Sequence, residues 1–154
     1  GRVSDDHHDA MALTDRERRF LEAQRRVVLV TVARDGRPRP MPICFTLADD
    51  AAVLYTPLDD KPKATDDLST LARVRDISAD PRVAVLADRW DEDWTRLAWL
   101  RAEGRGGLLE PAPEHAAAVG ALRARYPQYA THRLDGRPLI RIEIGRVTTW
   151  GPLD

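Results

Sequence analysis

Val27-Val28-Leu29-Val30-Thr31-Val32-Ala33-Arg34-Asp35-Gly36-Arg37-Pro38-Arg39-Pro40-Met41-Pro42-Ile43-Cys44-Phe45-Thr46-Leu47 is the stretch from which the fold follows. Its first half is rich in β-branched residues, which pack well on a pleated surface. It stops at Asp35-Gly36, a dipeptide suited to the positive φ of a tight hairpin turn. A strand must return, and Arg39 to Leu47 supplies it, with Met41, Ile43, Phe45 and Leu47 on one face by the two-residue period of a strand. Pro38, Pro40 and Pro42 cannot donate to a ladder, so this strand is predicted at a sheet edge or a bulge.

Upstream, Thr14-Asp15-Arg16-Glu17 reads as a capping box opening a short helix whose apolar face holds Phe20 and Leu21. Downstream, Asp49-Asp50 turns the chain into a third strand, Val53 to Thr56. A loop containing Lys61-Pro62-Lys63 follows. A helix is then predicted from about Asp66 to Ala79, with Leu68, Leu71, Val74 and Ile77 inward and Asp80-Pro81 as its end. Val83 to Ala87 is a fourth strand. Arg96 to about Leu109 is a fifth, bent at Gly104, Gly106 and Gly107. Pro113 opens a helix with Val119 and Leu122 inward. After the turn at Asp135-Gly136, Ile140, Ile142 and Ile144 alternate with Arg141 and Glu143 in a sixth strand that reaches Val147 and Trp150. Six strands in hairpins, with helices only as interruptions, predict a mainly β chain. The expected architecture is a six-stranded antiparallel closed or split barrel with short peripheral helices, not a doubly wound sheet.

The 154 residues suffice for one domain, expected to span residues 11–154. Residues 1–10, with His7 and His8, are expected to be a tail or an addition outside the native chain, and Met11 its natural beginning. The chain is 43% hydrophobic and 32% charged with a formal net charge of −1. This mixed surface argues against general binding to nucleic acid or to a membrane surface, which normally shows as a basic excess. Cys44 is the single cysteine, so no internal disulfide and no Cys/His zinc spacing exists, and a cytoplasmic location is expected. No apolar run approaches the ~20 residues that span a bilayer.

No P-loop, HExxH or GxSxG motif is present, which removes the commonest hydrolase explanations. Gly104-Arg105-Gly106-Gly107 lies inside a strand and opens no helix, so it reads as a bend and not as a phosphate loop. Asp91, Glu92 and Asp93 read as a solvated loop. Lys61 and Lys63 flank a proline that stiffens their loop, and Arg73 and Arg75 follow on the next helix. Together these are either a phosphate clamp or ordinary solvated cations. Trp90, Trp94 and Trp99 gather around one strand entrance, either as core or as walls for a planar ligand. Cys44 reads as a small buried apolar residue. His115 and His132, the only candidate haem ligands outside the tail, are expected near the surface.

The succession Val28-Leu29-Val30-Thr31-Val32, Asp35-Gly36-Arg37-Pro38, Pro42-Ile43-Cys44-Phe45, Lys61-Pro62-Lys63 and Asp80-Pro81-Arg82-Val83 resembles the pyridoxamine 5'-phosphate oxidase-like split-barrel proteins over nearly the whole chain. More narrowly, Lys61-Pro62-Lys63, Trp90-Asp91-Glu92-Asp93-Trp94 and Tyr126-Pro127-Gln128-Tyr129 look like an actinobacterial subgroup of F420-dependent oxidoreductases. The resemblance implies an FMN-binding split barrel that forms a homodimer, with two cofactor sites built from both subunits. It implies a phosphate held by Lys61 and Lys63, with Arg73 and Arg75 in support, and a tricyclic ring against Pro42, Ile43, Cys44, Tyr55 and Thr56. Asp76 departs from the family, whose members often carry an amide there. An acid near a phosphate calls for pairing, with Arg73 or Lys63 the expected partner.

The implied activity is hydride transfer between F420 and a small organic substrate, in which the cofactor supplies the chemistry and no side-chain base is required. FMN in the same fold is the alternative cofactor. A non-catalytic module binding flavin or haem is the alternative from another class.

Overall fold

The computed structural model describes the backbone of residues 2–3 and all of residues 11–58 and 71–154. Its sheet is antiparallel. The strands are β1 (Arg2–Val3), β2 (Val27–Val32), β3 (Pro38–Ile43), β4 (Thr46–Leu47), β5 (Val53–Pro57), β6 (Arg82–Arg89), β7 (Ala98–Leu109) and β8 (Leu139–Trp150). Seven of them follow the order β3-β2-β6-β7-β8-β5-β4, and β1 lies beside β8. Among the described residues the α-helices are α1 (Asp15–Glu22), α2 (Ala72–Ala79) and α3 (Pro113–Arg125).

The sheet's two ends, β3 and β4, are neighbours in the chain. Only Cys44 and Phe45 lie between them, a reach of at most ~11 Å. The sheet must therefore curl until its edges almost meet, which makes a split barrel with a seam at Cys44-Phe45. The strand predicted over Arg39 to Leu47 is in fact two strands on opposite edges, and this, with the short β1, brings the count from six to eight. The edge position predicted from the prolines holds. In the β2–β3 ladder Pro38, Pro40 and Pro42 face Val32, Val30 and Val28. Because proline has no N–H, the hydrogen-bonded pairs must be the alternate ones at Arg39, Met41 and Ile43. The proline carbonyls therefore point away from the ladder.

The hairpin turns at Gly36, whose φ of 86° is the left-handed value glycine adopts without strain. Thr14 caps α1 as a full capping box with Glu17, and Phe20 and Leu21 are buried beneath it. α2 does not run from Asp66: Leu71 at its N-cap has extended backbone, so the helix begins at Ala72, with Val74 and Ile77 inward. Residues 59–70, including Leu68, lie outside the described residues.

Barrel-facing residues alternate along each strand, and Leu29, Phe45, Leu54, Val85, Leu100, Ile140, Ile142 and Ile144 are essentially removed from solvent. Each such side chain contributes roughly 1.5–3 kcal/mol on burial. In β8 the inward positions pass from Ile144 to Val147, a step of three. The register explains it. Gly104 faces Ile144 while Glu103 faces Arg146, leaving Gly145 as a bulge that resets the alternation. β5 is buried on both faces. Its outer side, with Val53 and Tyr55, packs under Val119 and Leu122 of α3 in a second cluster.

Candidate cofactor site

The seam opens into a cavity of about 310 Å³ lined by Arg26, Met41, Pro42, Ile43, Cys44, Thr56, Pro57, Arg73 and Tyr129. β3 and the Cys44 corner form one wall and the end of β5 the other. α2 delivers Arg73, and the 3-10 turn Pro127–Thr131 delivers Tyr129. Among the described residues the walls are mostly apolar, with two guanidiniums and no carboxylate. Arg73 is buried, with Nη1 3.3 Å from the Met41 sulfur. A second, separate and more open groove of about 450 Å³ lies at the other end of β3, lined by Ala33, Arg34, Asp35, Arg37, Pro38 and Arg39.

The corner that shapes the cavity is tied down by Tyr126. Its hydroxyl accepts from the buried Phe45 N–H at 3.1 Å and from Arg125 Nε at 3.1 Å, and donates to the Arg25 carbonyl at 2.9 Å. Arg25 and Arg125 also stack on aromatic faces, Arg25 over Tyr126 at 4.6 Å and Arg125 over Phe45 at 4.7 Å. These contacts bring further positive charge to the cavity's side of the barrel.

Of the residues singled out in the sequence, Pro42, Ile43, Cys44, Thr56 and Arg73 meet in the cavity. Tyr55 does not. Adjacent strand residues point to opposite faces, so with Thr56 at the cavity Tyr55 is directed under α3. There its hydroxyl donates to Glu114 Oε2 at 2.6 Å, an oxygen that also accepts from Arg141 Nε at 2.7 Å. Burial first, then the Glu114 carboxylate, push the Tyr55 hydroxyl up to about 12. Arg75 is exposed and lies two residues along α2 from Arg73, which turns it well away from the cavity. Lys61 and Lys63 lie outside the described residues. Asp76 is paired, and among the described residues its partners are Arg39 and Thr31, from which it accepts, and not the expected Arg73; Lys63, the other expected partner, lies outside them.

Trp90 and Trp94 are exposed and in edge contact, with centroids 6.4 Å apart. Neither lines the cavity of its own chain. Trp99 carries the Arg101 guanidinium over its ring at 5.5 Å. His115 is not near the surface as expected: it is buried, with Nε2 2.6 Å from the Arg137 carbonyl oxygen. His132 packs edgewise on Tyr129 at 5.5 Å. Among the described residues no histidine lines the cavity. Among the described residues no group of His, Cys, Asp and Glu is arranged to hold a metal ion, and no helix is long and apolar enough to cross a membrane.

Arg26, Met41, Pro57 and Tyr129 are the lining residues that sequence reasoning missed. Arg26 immediately precedes β2 and Pro57 follows Thr56 in its strand. Tyr129 closes the Tyr126-Pro127-Gln128-Tyr129 motif, so that motif was the available signal.

The family model for pyridoxamine 5'-phosphate oxidase matches residues 13–151. The chain belongs to that family. Among solved structures, it is similar to the conserved hypothetical protein Rv2991 from Mycobacterium tuberculosis, at a TM-score of 0.72 and 18% identity over 93% of this chain and 87% of that one. It is also similar to HutZ, the heme storage protein from Vibrio cholerae, at a TM-score of 0.68 and 13% identity over 92% and 95%. An FAD-binding protein from Mesorhizobium loti matches at a TM-score of 0.59 and 24% identity over 85% and 87%. At these identities the likeness is one of fold. A search of curated protein sequences finds no match.

Proposed function

We propose that the chain is an oxidoreductase that holds a deazaflavin, F420, in the seam cavity of a cytoplasmic homodimer and exchanges a hydride between it and a small organic substrate. FMN is the alternative cofactor. The observation that carries the reading is the cavity's composition: flat apolar surface from Met41, Pro42, Ile43 and Pro57 beside the guanidiniums of Arg26 and Arg73, with no carboxylate among the described lining residues. Such walls suit a planar ring and its phosphate, and the volume falls in the range of small-molecule sites. When bound, the cofactor supplies the hydride chemistry. The chain's own residues orient the ring, exclude water from one face and neutralise the phosphate.

The groove's excess of arginine, with Arg34, Arg37 and Arg39 set against Asp35, which faces Arg37 at 3.4 Å, and Asp76, which holds Arg39, favours F420 over FMN, because a cofactor carrying acidic groups beyond its phosphate would meet it, whereas FMN ends at the phosphate. The chain leaves the cavity at Pro57 and returns at Arg73. Lys61 and Lys63, within that connection in sequence, are included as phosphate ligands.

Titrating the protein with F420 and with FMN tests this reading. The Arg26→Ala variant and the Lys61→Ala, Lys63→Ala double variant should each bind ~10–100-fold more weakly, the scale of one or two charge-assisted hydrogen bonds. Binding should also weaken with salt. Absence of binding by either cofactor, or unchanged affinity in all these variants, overturns the proposal.

A further inference from the structure

We propose that Arg123 is a positioning residue for the seam site: from α3 it fixes the Pro127–Thr131 turn so that Tyr129 stands as the aromatic wall against which a planar ligand stacks. The inference rests on the proposed reading of the cavity.

Tyr129 is the one aromatic side chain among the described residues lining the cavity. Met41, Pro42, Ile43, Thr56 and Pro57 belong to strands, whose places the ladders of the sheet fix. Tyr129 belongs to a five-residue 3-10 turn, a form held by few hydrogen bonds of poorer geometry. Within it the Tyr129 N–H donates to the Tyr126 carbonyl at 3.0 Å, and the His132 N–H donates to the Tyr129 carbonyl at 3.3 Å. Pro127 has no N–H to add. The place of the tyrosine therefore depends on what holds the turn from outside.

Arg123 holds it. Its Nε donates to the Tyr129 carbonyl at 3.2 Å, Nη2 to the His132 carbonyl at 3.1 Å and Nη1 to Asp135 Oδ1 at 3.1 Å. All three guanidinium nitrogens are engaged by the turn and by the segment that leads from it to β8, and their planar fork sets these acceptors in one arrangement. α3 packs on Val53 and Tyr55 of β5 through Val119 and Leu122. The clamp thus refers Tyr129 to the strand that brings Thr56 and Pro57 to the cavity. The Arg123 and Asp135 side chains are 33% and 75% exposed, and an ion pair so open to water adds little to stability. Placement, more than stability, is what the fork supplies.

The angle of the ring is also set in advance. The Tyr129 ring meets Tyr126 at 5.5 Å and 68°, and His132 at 5.5 Å and 74°. Tyr126 is in turn anchored through its hydroxyl to the Phe45 N–H and the Arg25 carbonyl. A phenol held in this way loses little freedom on receiving a flat ring, and its electron-rich face suits an electron-poor heterocycle.

The single cysteine, which lines the same cavity, serves as the reporter. Protein labelled at Cys44 with bimane, a fluorophore quenched by a nearby indole, is made with Tyr129→Trp and with Tyr129→Leu, each alone and combined with Arg123→Ala or Arg123→Lys. Arg123→Lys keeps the charge and the stem but not the fork, and circular dichroism confirms that the variants fold. We expect Tyr129→Trp to be dim and either Arg123 substitution to restore most of its emission, with no change in the Tyr129→Leu protein. Emission that ignores Arg123 in the Tyr129→Trp protein overturns the positioning role. An equal change in the Tyr129→Leu protein also overturns it, and marks Arg123 as a residue of general structure.

Unlabelled protein tests the wall. Tyr129→Leu should weaken F420 or FMN binding ~3–10-fold, the scale of one aromatic pair. Arg123→Lys should weaken it equally, with no further loss when the two are combined, because both act through one ring. Unchanged affinity in Tyr129→Leu, or losses that add, overturns the inference. If neither cofactor binds the unsubstituted chain, the reading of the cavity fails and the stacking partner with it, whereas the emission, measured without cofactor, still decides whether Arg123 sets Tyr129.

Discussion

Arg39 on the edge strand donates from Nε to Oδ2 of Asp76 on α2 at 2.7 Å, and Thr31 donates its hydroxyl to the same oxygen at 2.8 Å. The two partners are unequal, because the Asp76 side chain is 5% exposed and that of Arg39 47%. Arg39→Ala leaves a buried carboxylate held by one hydroxyl, whereas Asp76→Asn leaves a guanidinium free to turn into water. The expected order of destabilisation is therefore Arg39→Ala, about 3 kcal/mol, above Asp76→Asn, about 1 kcal/mol. Urea unfolding of both variants checks the order; the reverse order would mean that the pair matters chiefly for the arginine.

Tyr55 gives the protein an alkaline limit. With its hydroxyl pushed up to about 12 against an ordinary value near 10, the folded chain keeps a proton that the unfolded chain releases. The associated stability is full below about pH 10 and is lost as pH rises toward 12. Tyr55→Phe should cost about 1 kcal/mol at neutral pH and flatten the decline between pH 10 and 12. A variant whose stability falls as steeply as the parent's over that interval would show that another group sets the limit.

The glycines of β7 should respond differently to alanine. A Cβ on Gly104 would stand 2.0 Å from the Glu143 carbonyl oxygen, whereas one on Gly107 meets nothing within 4 Å. Gly104→Ala should destabilise by about 3 kcal/mol through a forced backbone shift, and Gly107→Ala by no more than ~0.5 kcal/mol. Thermal unfolding of the two variants in parallel provides the comparison. Equal losses would contradict the close approach at the bulge.

Tyr126→Phe removes the acceptor of the buried Phe45 N–H while leaving ring packing in place. The expected loss is about 1–3 kcal/mol, accompanied by weaker F420 or FMN binding because the Cys44 corner loosens. Denaturant midpoints and cofactor titration on the same sample separate the two effects. Unchanged values in both would place the corner's rigidity elsewhere.

What the sequence reveals is local. The capping box at Thr14, the Gly36 turn and the alternation through Ile140, Ile142 and Ile144 are each set by residues within a few positions of one another. The seam is not local, because it depends on which strands become the sheet's two ends. Nothing within Arg39 to Leu47 says that the strand breaks at Cys44. For the same reason the sequence points to both Tyr55 and Thr56 as site residues, although a strand can present only one of two adjacent residues to it. Arg39 and Asp76, 37 positions apart, become partners only once α2 is laid against the β2–β3 hairpin. Tyr129 is visible as part of a motif, but its place on the cavity wall requires the fold of the 3-10 turn.

The proline row of β3 has a consequence for how the protein keeps to itself in a crowded cell. A barrel left unclosed exposes a strand margin that can recruit a stranger's backbone. Along this margin Pro38, Pro40 and Pro42 offer carbonyls but no amide hydrogens, so an incoming strand finds acceptors without donors and can complete only half of a ladder. The open seam is thereby shut to polymerisation. Replacing those prolines would create an aggregation seed as surely as it would alter the site.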